Sequence, residues 1–451
     1  MLPVALVHAV ALAGKHVHEQ QQQLRAIQKR RRQQRLREAL VFLRAACLED
    51  GGRRKVERTE GGWKASTLNG YVENGDEQTY KLNFRATRRS VELIAEKLSS
   101  AGYLVDNNCR DPAHRMTSKF KVAVCLYYMA HAKGDAKLAG DVASLGKSTV
   151  QAYIEEFCRG VMAVLRPIYM PKDPPSASTV RLVREQFSGR HGISNVAMAV
   201  DGTHLPFRGG PDYRNYKGWT SILLVAFVSS YYTFVDGEVG APGRAGDNTV
   251  LTSAWLMEKI REDPEAWLGA DGVIAADGGA SDGGELLLNP IPNAEEADEL
   301  YYNFCHSSTR FFVEETFGRF KNRFRFLLYQ SDLSQRTYCR LVYSAMILHN
   351  MFTILKDDAV DFESGTDDEW EEFFETYARM ACPECTRRNK LHCPHVAFNR
   401  SAPAAKGGDA SAKRDAIKSS LWEKMTARGD ADALFRDLLE RRAARAAESE
   451  Q

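Results

Sequence analysis

The run NVAMAVDGTHLP, residues 195–206, constrains the fold more than any other part of the chain. Its first half is a continuous series of small and branched apolar residues, which is typical of a β-strand buried on both faces. The run then reaches a carboxylate, Asp201, which is followed at once by a glycine. We therefore predict a central strand that stops at Asp201, with the acidic group at the rim of a sheet.

Two later segments offer carboxylates that could meet Asp201. GVIAADGG predicts a second strand that ends in Asp277, and FFVEETFGRFKNRF predicts a helix that carries Glu314. Mg²⁺ and Mn²⁺ prefer carboxylate oxygens, and two such ions about 4 Å apart can promote the cleavage or transfer of a phosphodiester bond. Asp201, Asp277 and Glu314 are therefore the candidate catalytic residues and metal ligands, with Mg²⁺ or Mn²⁺ as the cofactor.

The helix that carries Glu314 has apolar residues at helical spacing, which predicts one buried face. Basic residues lie outside this stripe and predict a positive outer face that binds a DNA backbone. The alternative is an ordinary solvated helix face. The apolar stripe consists of Val313, Phe317, Phe320, Phe324 and Leu327, and the outer face carries Arg319, Arg323 and Arg325. Lys321 follows Glu314 at i+7, and Arg319, Lys321, Arg323 and Arg325 are the candidate DNA contacts of this segment.

Four short motifs occur in a fixed order: AVDGTHLPF, GVIAADGG, VEETFGRFKNRFRFL and SAMILHNMF. They resemble the two aspartate motifs, the glutamate helix and the following helix of the Harbinger/PIF-type DDE transposases and of the nucleases derived from them. The resemblance runs from about residue 84 to residue 352, with a short piece near residue 413. It implies metal-dependent cleavage of DNA by the acidic triad.

The catalytic segment is predicted to span residues 190–356. Its pattern indicates three antiparallel strands, a helix, a parallel strand and further helices, which is a mixed α/β sheet. The resemblance implies that this sheet is RNase H-like. The predicted fold class is thus α/β, with an RNase H-like catalytic domain preceded by an all-α region.

That all-α region is predicted to span residues 81–175 and to end near the Pro-rich segment MPKDPPSAS. AKLAGDVASLG and KSTVQAYIEEFCRG read as a helix, a turn and a second helix, which is the pattern of a helix-turn-helix. The alternative is two packed helices that touch no DNA. The candidate DNA contacts at the start of the second helix are Lys147, Ser148, Thr149 and Gln151.

Residues 1–80 form a Gln- and Arg-rich basic extension and a Gly-rich linker. KRRRQQR is typical of a nuclear-import or DNA-phosphate patch, and equally of a charged helical extension. The apolar start lacks the basic n-region with which a secretory signal peptide begins, because its first basic residue, Lys15, follows the apolar run. Secretion is therefore not expected. Nine cysteines without regular pairing indicate a reducing compartment, and the expected location is the nucleus. No run approaches the ~18 apolar residues of a membrane span.

Five residues near the motifs need separate interpretations. The second-aspartate motif of the family continues with glycine and an aromatic residue, whereas this chain has a Gly-rich loop with a competing carboxylate, Asp282. Asp247 is expected to cap the helix that follows it. His204 could orient a carboxylate or contact substrate, although a structural role is more common for such a histidine. His349, with its neighbour Asn350, is expected to be structural.

The predicted tail, residues 357–451, contains an acidic segment, a cysteine-containing segment and a charged helix. CPECTRRNKLHCPH offers a Cys-x₂-Cys pair followed by Cys-x-His, which is compatible with a tetrahedral Zn²⁺ site. The alternative is a set of scattered reduced thiols. The candidate zinc ligands are Cys382, Cys385, Cys393 and His395.

Three functions are consistent with these patterns. The first is a nuclear, metal-dependent DNA endonuclease or transposase, acting alone or with a separate DNA-binding partner protein. The second is a domesticated, non-cleaving DNA-binding or scaffold protein of the same fold, which the altered loop after Asp277 favours. The third is a zinc-dependent interaction module in the tail. A membrane partner is not expected.

Overall fold

The computed structural model of the chain describes residues 63–107, 115–191, 193–278, 284–294, 296–357, 359–360 and 408–427. The basic N-terminal extension, Asp282 and the four candidate zinc ligands lie outside these residues, so the hypotheses about them stay untested. In the described part of the chain, no helix is long and apolar enough to cross a membrane.

Five strands form one sheet in the order β3–β2–β1–β4–β5. The first three strands pair as an antiparallel meander, while β4 runs parallel to β1 and β5 parallel to β4. This mixed sheet confirms the α/β class and is compatible with an RNase H-like domain. The strands are β1 (Val196–Pro206), β2 (Ser221–Val228), β3 (Phe234–Pro242), β4 (Val273–Ala275) and β5 (Leu287–Leu288).

The prediction that the first strand stops at Asp201 was wrong. β1 continues to Pro206, because β2 pairs with it along its whole second half. The strand that does stop is β4, whose last residue, Ala275, pairs with Ala199. Asp201 lies two residues beyond Ala199, and Asp277 lies two residues beyond Ala275. Both aspartates therefore lie at the edge of the sheet where β4 ends.

Helices pack on both faces of this sheet. Along β2, Leu223 and Val225 belong to one buried cluster and Ile222 and Leu224 to the other, as the alternation of side chains along a strand requires. Downstream of β1 the helices are α9 (Asp247–Ser253), α10 (Trp255–Glu262), α11 (Pro264–Leu268), α12 (Ala297–Arg323), α13 (Gln335–Ile354) and α14 (Gly408–Ala427).

The region before β1 is helical and shares a continuous apolar core with α12 and α13. Its helices are α1 (Thr67–Asn74), α2 (Glu77–Phe84), α3 (Arg88–Ser100), α4 (Ser118–His131), α5 (Ala136–Ala143), α6 (Lys147–Gly160), α7 (Arg166–Tyr169) and α8 (Ala177–His191). The described part of residues 81–175 is mainly helical, as predicted, but residues 67–80, which were predicted to belong to a linker, also form helices and bury Leu68, Val72 and Tyr80 in the core.

The connection between α5 and α6 is only three residues long, and it begins with Ser144 in the left-handed conformation at φ 54°. This tight turn lets the two helices pack against each other, and α6 packs also against α4 and α13. The assignment of this pair as a DNA-binding helix-turn-helix stays a prediction.

The tail helix α14 packs against α12 and contains the short piece near residue 413 that resembles the family. Lys418 forms an ion pair with Asp298, with 2.9 Å between Nζ and Oδ2, and Trp422 contacts Tyr301 edge to face. Leu421 is buried in the main core. The C-terminal helix is therefore part of the scaffold that supports α12.

Candidate acidic centre

Three carboxylates from three separate elements meet at one guanidinium group, that of Arg310. Arg310 Nη2 lies 3.0 Å from Asp201 Oδ2 and 3.8 Å from Glu314 Oε1, and Nη1 lies 3.4 Å from Asp277 Oδ1. The structure thus brings together the three acidic residues that the sequence analysis selected. Asp201 and Glu314 are 113 positions apart along the chain (314 − 201), and Asp277 lies between them in the sequence, so only the tertiary fold can bring about this convergence.

Strand pairing and a packed helix fix these carboxylates. The backbone N–H groups of Gly202 and Gly278 each donate a 2.8 Å hydrogen bond to the Oδ1 atom of the preceding aspartate. Glu314 projects from α12 beside the predicted apolar stripe. All five residues of that stripe are buried, which confirms the prediction that they form the core face.

Sequence analysis missed Arg310. It precedes Glu314 by four residues, and this spacing places both side chains on one face of a helix. This four-residue spacing is the sequence feature by which Arg310 could have been identified. The side chain is only 15% exposed, and its Nε atom is buried without a hydrogen-bond partner among the described residues. The outer nitrogens of the guanidinium therefore face the three carboxylates.

Asp247 does not cap a helix, contrary to the prediction. The N-cap of α9 is Gly246, and Asp247 is the first helical residue, so it lies in the first turn without being the cap. Its carboxylate lies instead against the backbone of Gly202, where an added Cβ would be 2.5 Å from Asp247 Cγ. Partial desolvation and the charges of Asp201 and Asp277 raise the pKa of Asp247 to about 6. It is a fourth acidic group at the centre.

Lys321 and Arg323 do not lie open to DNA as predicted, and Arg323 is not part of an outer face, because both side chains are buried. Lys321 Nζ donates a 2.7 Å hydrogen bond to Thr203 Oγ1, two residues beyond Asp201 on β1. Burial lowers the pKa of this lysine to about 7, and the negative charge of Asp201 opposes that shift. Lys321 is therefore hydrogen-bonded to β1 inside the protein, next to the acidic centre.

The other basic residues of α12 and its C-terminal end differ from one another. Arg323 pairs with Asp357, with 3.0 Å between Nη1 and Oδ1, and both side chains are almost fully buried. Arg319 is held at the surface by Glu315 and lies over the ring of Tyr232. Arg325 is exposed. Only Arg325 keeps the open position that the prediction assumed for all four residues.

The candidate DNA contacts at the start of α6 also differ in their exposure and in their partners. Thr149 is buried, which contradicts its prediction as a contact. Lys147 forms an ion pair with Asp332, with 2.7 Å between Nζ and Oδ2, which ties α6 to the segment before α13. Ser148 is exposed and Gln151 is half-buried, so a DNA contact through these two residues stays a prediction.

His204 lies near the centre and has a structural partner. Its Nδ1 atom is 3.0 Å from Ser221 Oγ on the neighbouring strand, and its ring contacts Tyr216 and Trp219 edge to face. Burial and the charge of Lys217 lower its pKa to about 4, so this histidine is neutral at pH 7. These contacts agree with a satisfied structural histidine, the more common case.

His349 and Asn350 anchor β3 to α13, as the structural interpretation predicted. Asn350 accepts a 2.8 Å hydrogen bond from Phe234 N and donates one of 2.7 Å to Phe234 O. His349 Nε2 lies 2.8 Å from Tyr232 O, and burial lowers its pKa to about 3. The two residues therefore satisfy backbone groups at the start of β3, which is an edge strand of the sheet.

The donor chemistry of the acidic centre fits a divalent cation, because hard oxygen ligands suit Mg²⁺ and Mn²⁺. Within the described ranges, however, no three His, Cys, Asp or Glu side chains are arranged to hold an ion directly. The guanidinium of Arg310 lies between the carboxylates instead. The three residues are thus the right ligands for a metal, arranged here around an organic cation.

Residues 200–350, about a third of the chain, match the family described as DDE superfamily endonuclease. The match begins one residue before Asp201 and includes Asp277, Arg310 and Glu314. No curated protein and no solved structure matches the chain. The match confirms the resemblance to DDE endonucleases, and the narrower Harbinger/PIF assignment stays a prediction.

Proposed function

Because residues 200–350 match the DDE superfamily endonucleases, we propose that this protein is a divalent-metal-dependent endonuclease or transposase that acts on DNA phosphodiester bonds. The observation that carries the proposal is the convergence of Asp201, Asp277 and Glu314 on one point at the edge of the sheet. Acidic groups whose pKa values are shifted by burial and by a charged partner are concentrated at functional sites, and Asp201 and Glu314 are two such groups.

Asp201, Asp277 and Glu314 are the residues that would hold Mg²⁺ or Mn²⁺ in this proposal. A pair of bound ions activates the attacking oxygen and stabilises the leaving oxygen in such enzymes. The chain contributes the positions of the ligands. Asp201 lies on the paired strand β1, Asp277 lies two residues after the end of β4, and Glu314 lies on a helix that is buried along one face. Burial raises the pKa of Asp201, while the nearby charge of Arg310 opposes this shift and favours the ionised ligand.

The loop between β1 and β2 suits the approach of a DNA backbone. Arg208 and Arg214 are exposed there, and so is the ring of Tyr216, at 71%. Lys217 lies close enough to the centre for its charge to lower the pKa of Asp247. Cations beside an acidic pocket attract phosphates that the pocket alone would repel. We extend the proposal to DNA bound across this loop, by this chain alone or with a separate DNA-binding protein in the nucleus.

The proposal is tested by nicking of a supercoiled plasmid in Mn²⁺ or Mg²⁺, with EDTA as the metal-free control. The wild-type protein is expected to nick the plasmid, and Asp201→Ala is expected to lose this activity because a ligand is removed. Glu262→Ala, at an exposed pair on α10, is the matched control for a lost carboxylate. Equal nicking by wild type and Asp201→Ala would reject the proposal.

A non-cleaving DNA-binding or scaffold protein is the second candidate. The observation that favours it is the guanidinium between the three carboxylates, which provides a cation without any metal. DNA binding that survives removal of all three carboxylates, together with a wild-type protein that nicks no DNA in either metal, would select this function.

Gly202→Ala is expected to reduce nicking by about 10- to 100-fold, because a displacement of roughly 1 Å at a reactive centre can have an effect of this size. The new methyl group would displace the Asp247 carboxylate beside Asp201. The melting temperature should change little, since the contact is with the end of a flexible side chain. Gly189→Ala, where a Cβ has open space, is the control. An unchanged nicking rate would show that this position of Asp247 is unimportant.

A further inference from the structure

The guanidinium of Arg310 occupies the point from which all three carboxylates can be reached. We propose that Arg310 is an internal counter-cation, which holds Asp201, Asp277 and Glu314 together in the metal-free protein and is displaced when a divalent ion binds. The inference rests on the proposed function, because it concerns the same centre.

The geometry of the contacts supports a central position. A guanidinium is a rigid planar fork, so its two outer nitrogens can serve different acceptors at the same time. Nη2 contacts both Asp201 and Glu314, and Nη1 contacts Asp277. A lysine at this position would provide a single point charge and could not span the group in the same way.

The electrostatics require a cation at this point. Three carboxylates that share a small volume repel one another, and an arginine among them favours their ionised forms. One positive charge against three negative charges leaves the centre net negative, with Asp247 adding to the imbalance. The centre thus remains attractive to a divalent ion while Arg310 is present.

Arg310 and a directly bound ion would compete for the same place. Carboxylates bind Mg²⁺ at about 2.0–2.1 Å, closer than any contact they make here with the guanidinium. The ligands would therefore close around the ion, and the repulsion between two cations would drive the arginine out. Arg310 Nε has no hydrogen-bond partner among the described residues, so displacement of the guanidinium breaks no hydrogen bond of that nitrogen.

The test is the affinity of the full-length protein for Mn²⁺ alone, measured by titration calorimetry on wild type and Arg310→Met. The variant is expected to bind Mn²⁺ at least about tenfold more tightly, because a competing positive charge is gone. In EDTA its melting temperature should be lower than that of wild type, and Mn²⁺ should remove this difference. Arg310→Gln, which keeps two N–H donors, serves if the methionine variant does not fold.

Arg319→Met is the matched control. It removes an arginine from the same helix, and the carboxylate partner of this arginine is Glu315, which is not one of the three carboxylates of the acidic centre. Its Mn²⁺ affinity should equal that of wild type. An Mn²⁺ affinity that is unchanged or weaker in both Arg310 variants overturns the inference, even if the wild-type protein nicks DNA. If Arg310→Met binds Mn²⁺ more tightly but wild type never nicks DNA, the inference stands and the proposed nuclease function fails.

Discussion

Glu314→Gln is expected to reduce metal-dependent nicking by at least about 100-fold, because a neutral amide is a much weaker ligand for Mg²⁺ or Mn²⁺ than a carboxylate. The substitution keeps the size of the side chain, and Glu314 is 56% exposed, so the fold should tolerate it. The measurement is the initial rate of plasmid nicking, with the melting temperature recorded in parallel.

Glu315→Gln is the control that the chain itself provides. Glu315 is the next residue on α12, and its carboxylate pairs with Arg319. Its loss should leave the nicking rate within about twofold of wild type, since only a helix-surface ion pair is weakened. If the two glutamine variants lose activity equally, Glu314 has no special role and the triad assignment fails.

Asp357→Ala is expected to lower the free energy of unfolding by about 3–5 kcal/mol, the cost of leaving a buried charge without its partner. Arg323 and Asp357 have side-chain exposures of 4% and 0%. Asp357 also accepts hydrogen bonds from Thr87 N and Thr87 Oγ1 at the start of α3, at 3.0 Å and 2.8 Å. Urea denaturation of wild type and variant measures the difference.

A double-variant cycle separates the ion pair from the hydrogen bonds. Removing both partners, as Arg323→Met with Asp357→Ala, should cost less than the two single losses together, because no unpaired charge remains. A double variant as unstable as the sum of the single variants would show that the two side chains do not interact energetically.

The same pair makes stability depend on pH. Arg323 and the donors at Thr87 and Ser90 hold the pKa of Asp357 below its ordinary value, despite the opposing effect of burial. A carboxylate with a lowered pKa stabilises the fold above its unfolded pKa of about 3.9, and this contribution is lost as the pH falls through the folded value. The difference in stability between wild type and Asp357→Ala should therefore shrink below about pH 4.

Local sequence pattern predicted much of the sheet. The apolar runs of β1 and β2 and the turn-rich segments between them indicated the meander, because side-chain burial along a strand follows from residue type. The apolar stripe was predicted for the same reason, and all of its residues are buried, although α12 ends at Arg323 and Leu327 lies in the 3₁₀ turn that follows. Where β1 ends was predicted wrongly, since the end of a strand depends on its neighbours. β2 extends β1 past Asp201, while β4 stops earlier.

The basic residues after Glu314 show the limit of such patterns. Helical spacing alone suggested that Arg323 lies on an outer face and that Lys321 is open to DNA, yet both are buried. Their burial depends on partners distant in the chain, Thr203 and Asp357, which satisfy the charged groups inside the protein. A charge can be buried when such partners are present, and spacing along one helix contains no information about them.

The sequence by itself indicated the strands β1 to β4, the buried apolar stripe after Phe312 and the three acidic residues, because these follow from local apolar periodicity and from short motifs. Only the tertiary structure decided that the three carboxylates meet, that Arg310 lies among them and that Asp247 lies against Gly202. These contacts join segments that are far apart in the chain, so they depend on how the sheet and its helices pack and not on any local preference of the residues involved.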